Sequence, residues 1–384
     1  MPLDLLRMAL TNPVRTPRPA PPPVPRQCEI LIVGGGPMAL ALAEALTRDG
    51  DPRRVCVLAP DAIGARAGPR WAVAGIQGDR ALGRLGPLPG DVRPASPRGG
   101  ELAAPSPGDV AVAVTTLAPL LDMNLMLAPR GAWRLLRDER GALPADAEMA
   151  ARFARQTRFL APDAVQPDWQ SLGLLFDADA LTWSYAQQLA DRGVCVATRP
   201  GLTVPAISDA GSSLSWDGGE ITADRLVIAD DALAKGVSGD EGQAWSWLRT
   251  APLKPLFDPV LYWEEDDLTV LQAPGGDIQA SGPGTFEELC ADVAARVPAL
   301  AALEIRQGDS RLACGRPEGE AWIGGAMPDD PAAERGLRLT GFGAREAAVA
   351  PALAPLLARG LQADTLSAVL ARFAPVRADE GAGA

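Results

Sequence analysis

The sequence predicts a two-domain mixed α/β protein in which both ends of the chain build a parallel sheet and the middle supplies an antiparallel one. Three observations carry this. An apolar run, EILIV at 29–33, passes through Gly34, Gly35 and Gly36 into a helix-forming run and then a second strand, VCVLA at 55–59. A buried type of strand, RLVIA at 225–229, returns after a turn, as a strand rejoining the first sheet would. The pieces PVLYW and LTVLQA, within 252–282, are separated by the turn signals EEDD and PGGD, the pattern of an antiparallel sheet.

The first unit is strand, glycine turn, helix. Gly34 permits the tight turn, and Gly36 lets the main chain approach a diphosphate, whose charge then rests on the free N–H groups and positive dipole end of the helix. Pro37 and Met38 open that helix, and Ala39 stands where a third glycine is common, a position that requires only close packing of helix on strand. The context of strand before and helix after makes this a Rossmann-like dinucleotide signal rather than a bare glycine pattern. One part is missing: the acidic residue expected at the end of the second strand is Ala59, with Asp61 two residues on as the substitute for holding ribose hydroxyls.

Composition narrows the chemistry. The 384 residues carry a net charge of −12 and no histidine, which removes Ser-His-Asp hydrolysis and histidine-bound metals. Acidity opposes broad capture of nucleic acid, so none is expected as a partner. No run approaches the roughly 20 apolar residues of a membrane span. Cys28, Cys56, Cys195, Cys290 and Cys314 are odd in number and never spaced as CxxC, which suits a reducing cytoplasm better than a disulfide framework. Residues 1–26, rich in proline, read as a disordered leader.

Further along, residues 64–76 read as a small-residue loop and 86–108 as a Pro/Gly-rich excursion. Helices are expected over 145–156, 178–193 and 286–303, with a last helix in REAAVAPALAPLLARGLQ; VCVAT and LTVPAIS read as strands. The boundaries drawn from this order are 27–85, 160–250 and 305–370 for the dinucleotide domain, 86–159 and 251–304 for the inserted domain, and a flexible tail at 371–384.

Four matches in this order, the last a pair of segments, resemble the D-amino-acid-oxidase, glycine-oxidase and sarcosine-oxidase superfamily of FAD-dependent enzymes. They are ILIVGGGPMALALAEAL; GLLFDADALTWSYAQQLADRGV; ITADRLVIADDALAK; and the pair RLACGRPEGEAWIGGAMP and GLRLTGFGAREAAVAPALAPLLA, which is similar to the family's closing blocks. The resemblance spans roughly residues 28–365. It implies a Rossmann-like FAD-binding domain built from both chain ends, with an inserted antiparallel-sheet substrate domain.

It also implies an oxidoreductase that takes a hydride from the α-carbon of a small amino acid or secondary amine onto flavin N5, then passes electrons to oxygen or another acceptor. No histidine base is needed for that. Carried over residue by residue, Arg316 is expected to grip a substrate carboxylate through its planar fork, with Tyr262 and Lys254 as further catalytic candidates. Tyr185, Trp133 and Trp263 are candidates for the pocket wall, or plain core. The cofactor set is Gly34, Gly36, Pro37, Met38, Ala39, Asp61, Arg70, Val204 and Ala229 on one side. Gly341, Gly343, Ala344, Arg345 and Glu346 complete it, presenting amides to the pyrimidine edge of the ring.

Four residues at three places depart from the family pattern. Glu346 replaces a glycine, Asp230 and Asp231 follow Ala229 where the family has Ala-Gly, and Ala59 lacks the ribose acid. Cys314 aligns with the cysteine that sarcosine oxidases join to FAD, or is simply buried. Two alternatives stay open: a degenerate flavin-binding or structural subunit, and an oxidase of the tRNA wobble-uridine modification type, whose ending GFGAREAAVAP also resembles.

Overall fold

The computed structural model describes residues 23–64, 68–74, 114, 117, 125–137, 147–160, 165–208, 210–315, 321–327, 333, 336–363, 365–370 and 373. Most of the leader, the 86–108 excursion, Arg316 and nearly all of the 371–384 tail lie outside the described residues.

Along the chain come β1 (Gln27–Val33), α1 (Pro37–Thr47), β2 (Val55–Ala59), β3 (Trp71–Ala74), β4 (Ala128–Arg137), α2 (Ala147–Gln156), β5 (Val165–Asp177), α3 (Ala178–Asp191) and β6 (Cys195–Thr198). A β-rich middle follows, with β7 (Ala206–Ser208), β8 (Gly211–Trp216), β9 (Gly219–Ile228), α4 (Asp231–Ser238), β10 (Gln243–Thr250), β11 (Val260–Trp263), β12 (Leu268–Gln272) and β13 (Ile278–Pro283). The rest is α5 (Phe286–Arg296), β14 (Ile305–Ala313), β15 (Trp322–Gly325), β16 (Gly336–Thr340), α6 (Glu346–Gln362) and α7 (Leu366–Leu370).

The first sheet runs β15-β16-β9-β1-β2-β6, parallel from β16 to β6, with the β7–β8 hairpin edge added to β9. Its central strand β1 is covered on both faces, as parallel strands require. Ile30 and Ile32 pack with α1, α3 and α6, while Leu31, Val33, Cys56 and Leu58 pack with Leu233 and Ala234 of α4. The second sheet runs β14-β10-β13-β12-β11-β4-β5-β3 and is antiparallel except where β11 meets β4. Its core is Trp133, Leu248, Leu261, Trp263, Val270 and the inner face of α5.

The fold class matches the expectation, and several local expectations are corrected. Within the expected loop at 64–76, Trp71–Ala74 is a buried strand paired antiparallel with β5, its Trp71 main chain also bonded to the Gln279 side chain. Four residues are too few to set a period, so tertiary pairing decides. Only Ala206–Ser208 of LTVPAIS is strand. The sheets also divide the chain differently from the boundaries drawn from sequence: β3, β5, β10 and β14, expected with the dinucleotide segments, hydrogen-bond within the second sheet. Chain order alone does not say which sheet an edge strand joins.

Candidate functional site

β1 ends at Val33 and the chain turns at Gly34, whose φ of +144° excludes ordinary side chains; a Cβ there would fall 2.5 Å from the Ala229 carbonyl oxygen. Gly34 N–H donates to the Leu58 carbonyl and Ala229 N–H to the Val33 carbonyl, which pins the turn between β2 and β9. Helix α1 then starts with Gly36 as its N-cap and Pro37 in its first turn, with no side-chain cap and no acid of its own. Its first amides need an outside acceptor.

That acceptor comes from the other end of the chain. Glu346, the first residue of α6, takes the Met38 N–H on Oε1 at 2.9 Å across 308 residues. A Cβ on Gly36 would sit 2.5 Å from the same oxygen, so the room glycine leaves open is filled by a carboxyl group. Burial pushes the Glu346 carboxyl up to about 8, Asp231 and Asp230 add to the rise, and the Met38 amide and Arg311 oppose it. Glu346 is half-buried because it borders a cavity of about 430 Å³, whose walls include Gly36, Asp61, Asp230, Asp231 and Arg311. The size is within the range of ligand pockets.

A second carboxylate acts where β9 gives way to α4. Asp230 caps α4 by accepting the Leu233 N–H, and Asp231 Oδ1 accepts the Cys314 N–H at 2.6 Å and the Gly341 N–H at 2.9 Å. Gly341, at φ +76°, lies against Gly315 with no room for a side chain. Burial raises Asp231 to about 6, against the pull of those two amides. Asp231 therefore holds two backbone segments rather than standing bare in the cavity. Cys314 is buried and its thiol is pushed up to about 11, which makes it a poor nucleophile. The buried Arg338, stacked on Trp322, donates to the Cys314 carbonyl, Thr340 and Asp240 and fixes the same corner.

Gly343 begins a short 3₁₀ turn that leads into α6, pressed against the Trp245 ring at φ +56°, and Ala344 is buried beside it. Arg345 lies over Trp245 at 4.9 Å and donates to Asp267 Oδ2 at 2.7 Å; Asp267 Oδ1 accepts the Tyr262 hydroxyl at 3.0 Å. Two residues expected at the site, Tyr262 and Arg345, thus meet through Asp267, a non-glycine residue at φ +50° in the turn after β11.

The structure brings Gly34, Gly36, Pro37, Met38, Ala39, Ala229, Gly341 and Glu346 to one end of the parallel sheet, with Asp61 on the exposed bend after β2 at the cavity wall. Other candidates fall elsewhere. Arg70 pairs with Asp177, the N-cap of α3, at 2.8 Å. Val204 is exposed and covers Gly236, and Lys254 is exposed in the loop before β11, its carbonyl taking the Gln272 amide. Tyr185 is buried with α1 and α6, while Trp133 and Trp263 are core of the second sheet. Asp267, Trp245, Asp309 and Arg311 were not singled out by sequence. The only signal of Asp267 was the acidic turn EEDD.

No family model matches the sequence, and no curated protein matches it. Solved structures do. Glycine oxidase from Geobacillus kaustophilus matches at 18% identity and TM-score 0.60, over 92% of this chain and 99% of that one. L-proline dehydrogenase from P. horikoshii matches at 17% and 0.61, over 89% and 95%. The dithionite-reduced L-α-glycerophosphate oxidase from Mycoplasma pneumoniae, a structure with FAD bound, matches at 12% and 0.59, over 88% and 95%. The chain shares its fold with these solved structures, which is the fold the sequence resemblance implied. Among the described residues, no helix is long and apolar enough to cross a membrane.

Proposed function

We propose that this protein is an FAD-dependent oxidoreductase that oxidises the C–N bond of a small amino acid or secondary amine. The reading is carried by the meeting, at one end of a parallel sheet, of an N-terminal glycine turn and the start of the C-terminal helix, joined by Glu346 on Met38. The main chain there suits a diphosphate: Gly34 tolerates no side chain, Gly36 leaves room that only the Glu346 carboxyl group fills, and a helix of 11 residues follows with no cap of its own. One side chain competes with that ligand, since Glu346 holds the Met38 amide.

In this reading Gly34, Gly36 and Met38 receive the diphosphate, Asp61 faces the ribose, and Gly341 to Ala344 border the ring. Arg316 orients a substrate carboxylate. FAD, when bound, supplies the hydride acceptor that no side chain of this chain provides. The test is the anaerobic spectrum of the purified protein. Flavin absorption that bleaches on addition of an amino acid or N-methyl amino acid is the expected result; bound flavin that no such substrate bleaches removes the assigned reaction.

The second reading is a non-catalytic subunit that keeps the fold without the cofactor. It is favoured by the occupancy of the Met38, Gly341 and Cys314 amides by the chain's own carboxylates. Protein that is colourless and takes up no added FAD supports it.

A further inference from the structure

Glu346 stands out among the ionisable groups around the cavity. Asp231 holds two amides and Arg345 is closed in by Asp267, Phe342 and Trp245, whereas Glu346 joins α6 to α1 through its bond to Met38 with a cavity beyond it. It is the first residue of α6, where its own end of the helix has no side-chain cap, and it reaches away to satisfy a different helix. The atom it satisfies, the Met38 N–H, is one that an anionic ligand at the α1 terminus would take. Its oxygen also lies against Gly36, on the surface a diphosphate would approach. The carboxyl group then borders a cavity large enough for a ligand to enter beside it.

We propose that Glu346 is an intramolecular occupant of the diphosphate seat, so that a dinucleotide binds this protein only in exchange for the Glu346 side chain. The inference rests on the flavin-nucleotide reading of the seat. It is independent of which substrate, if any, is oxidised there. Exchange is expected to depend on pH, because a neutral carboxyl is a weaker acceptor for Met38 and does not repel a diphosphate. The groups facing Glu346 are the Met38 amide of α1, Asp230 and Asp231 at the start of α4, and Arg311 of β14, with Asp61 and Asp309 further around the cavity. Above about pH 8 Glu346 adds its charge to this acidic wall.

The experiment measures FAD and ADP affinity of the full chain by isothermal titration calorimetry, for the unaltered protein, Glu346→Gly and Glu346→Ala, from pH 6 to pH 9. Circular dichroism and urea midpoints establish that each variant is folded; the alanine variant covers the case in which glycine weakens the first turn of α6. The expected result is affinity for both ligands at least about tenfold tighter in the variants. The unaltered protein is also expected to lose affinity between pH 7 and pH 9 more steeply than either variant. Equal or weaker binding by a folded variant overturns the proposal. If the unaltered protein and the variants bind FAD equally well, the occupant idea falls and the flavoprotein reading stands. If no folded form binds FAD, both fall. A variant that gains FAD but is bleached by no amine keeps the occupant and removes the oxidase.

Discussion

Arg345 and Glu346 are neighbours in sequence, both charged and both held by a partner far along the chain, yet they sit in different kinds of place. Arg345 is 1% exposed and closed in by Asp267, the Phe342 carbonyl and the Trp245 ring, at the junction of the two sheets. Glu346 has its bond to Met38 and a cavity beyond it. A group sealed by several partners contributes to holding the fold; a group with one partner and an open side can be displaced by a ligand. Chemical type does not separate the two, and the number and origin of their contacts does.

The largest effect expected from breaking this comparison is at the sealed member. Arg345→Met removes the cation and leaves Asp267 buried without it, and losing one partner of a buried pair costs about 3–5 kcal/mol. The urea midpoint should fall accordingly, and adding Asp267→Asn should recover part of the loss. A fall of less than about 1 kcal/mol would show that the pair is displaceable like Glu346, and the distinction drawn above would fail.

Asp231 is the intermediate case, near the cavity like Glu346 but tied to two amides like a structural group. Asp231→Ala leaves the Cys314 and Gly341 N–H groups without their acceptor, a loss of about 1–3 kcal/mol for each group that stays dry. Asp231→Asn keeps an acceptor oxygen and should lose much less. Were both substitutions equally harmless, water would have to replace the carboxylate, and Asp231 would belong with Glu346.

Much of this fold was legible because its signals are local. EILIV followed by three glycines and a proline-opened helix dictates a strand, a turn and a free helix terminus within about a dozen residues, with no need for the rest of the chain. The strand at Trp71–Ala74 was not legible, since its partners are β5 and the Gln279 side chain, distant in sequence and chosen by packing. The same division runs through the site. The departure at Glu346 could be noticed from the sequence, but what the carboxyl group does there depends on α6 arriving at α1, which no local pattern encodes. Asp267 was less visible still: its role comes from the backbone at φ +50° turning it toward Arg345, and the sequence offered only a run of acids in a turn.

The smallest effect is the pH dependence of stability between pH 6 and pH 8, and it bears on the open member of the pair. The unfolded chain releases the Glu346 proton near 4.5, whereas the folded protein holds it to about 8. The folded state therefore binds more protons across that window, and stability falls as pH rises through it; below 4.5 both states are protonated and the contribution is complete. Asp231 adds a fall of the same sign centred at about pH 6 and spent by about pH 7, so the stretch from pH 7 to pH 8 isolates Glu346. One fully retained proton gives a slope of about 1.4 kcal/mol per pH unit. With its open side facing the cavity, the expected total is nearer to about 1 kcal/mol after solvent screening. Urea midpoints at pH 6, 7 and 8 measure it, and Glu346→Ala should flatten the curve. A variant curve as steep as that of the unaltered protein would assign the proton to another group and leave Glu346 ionised on Met38 throughout. The seat would then carry a standing charge, and its exchange for a diphosphate would show no titration.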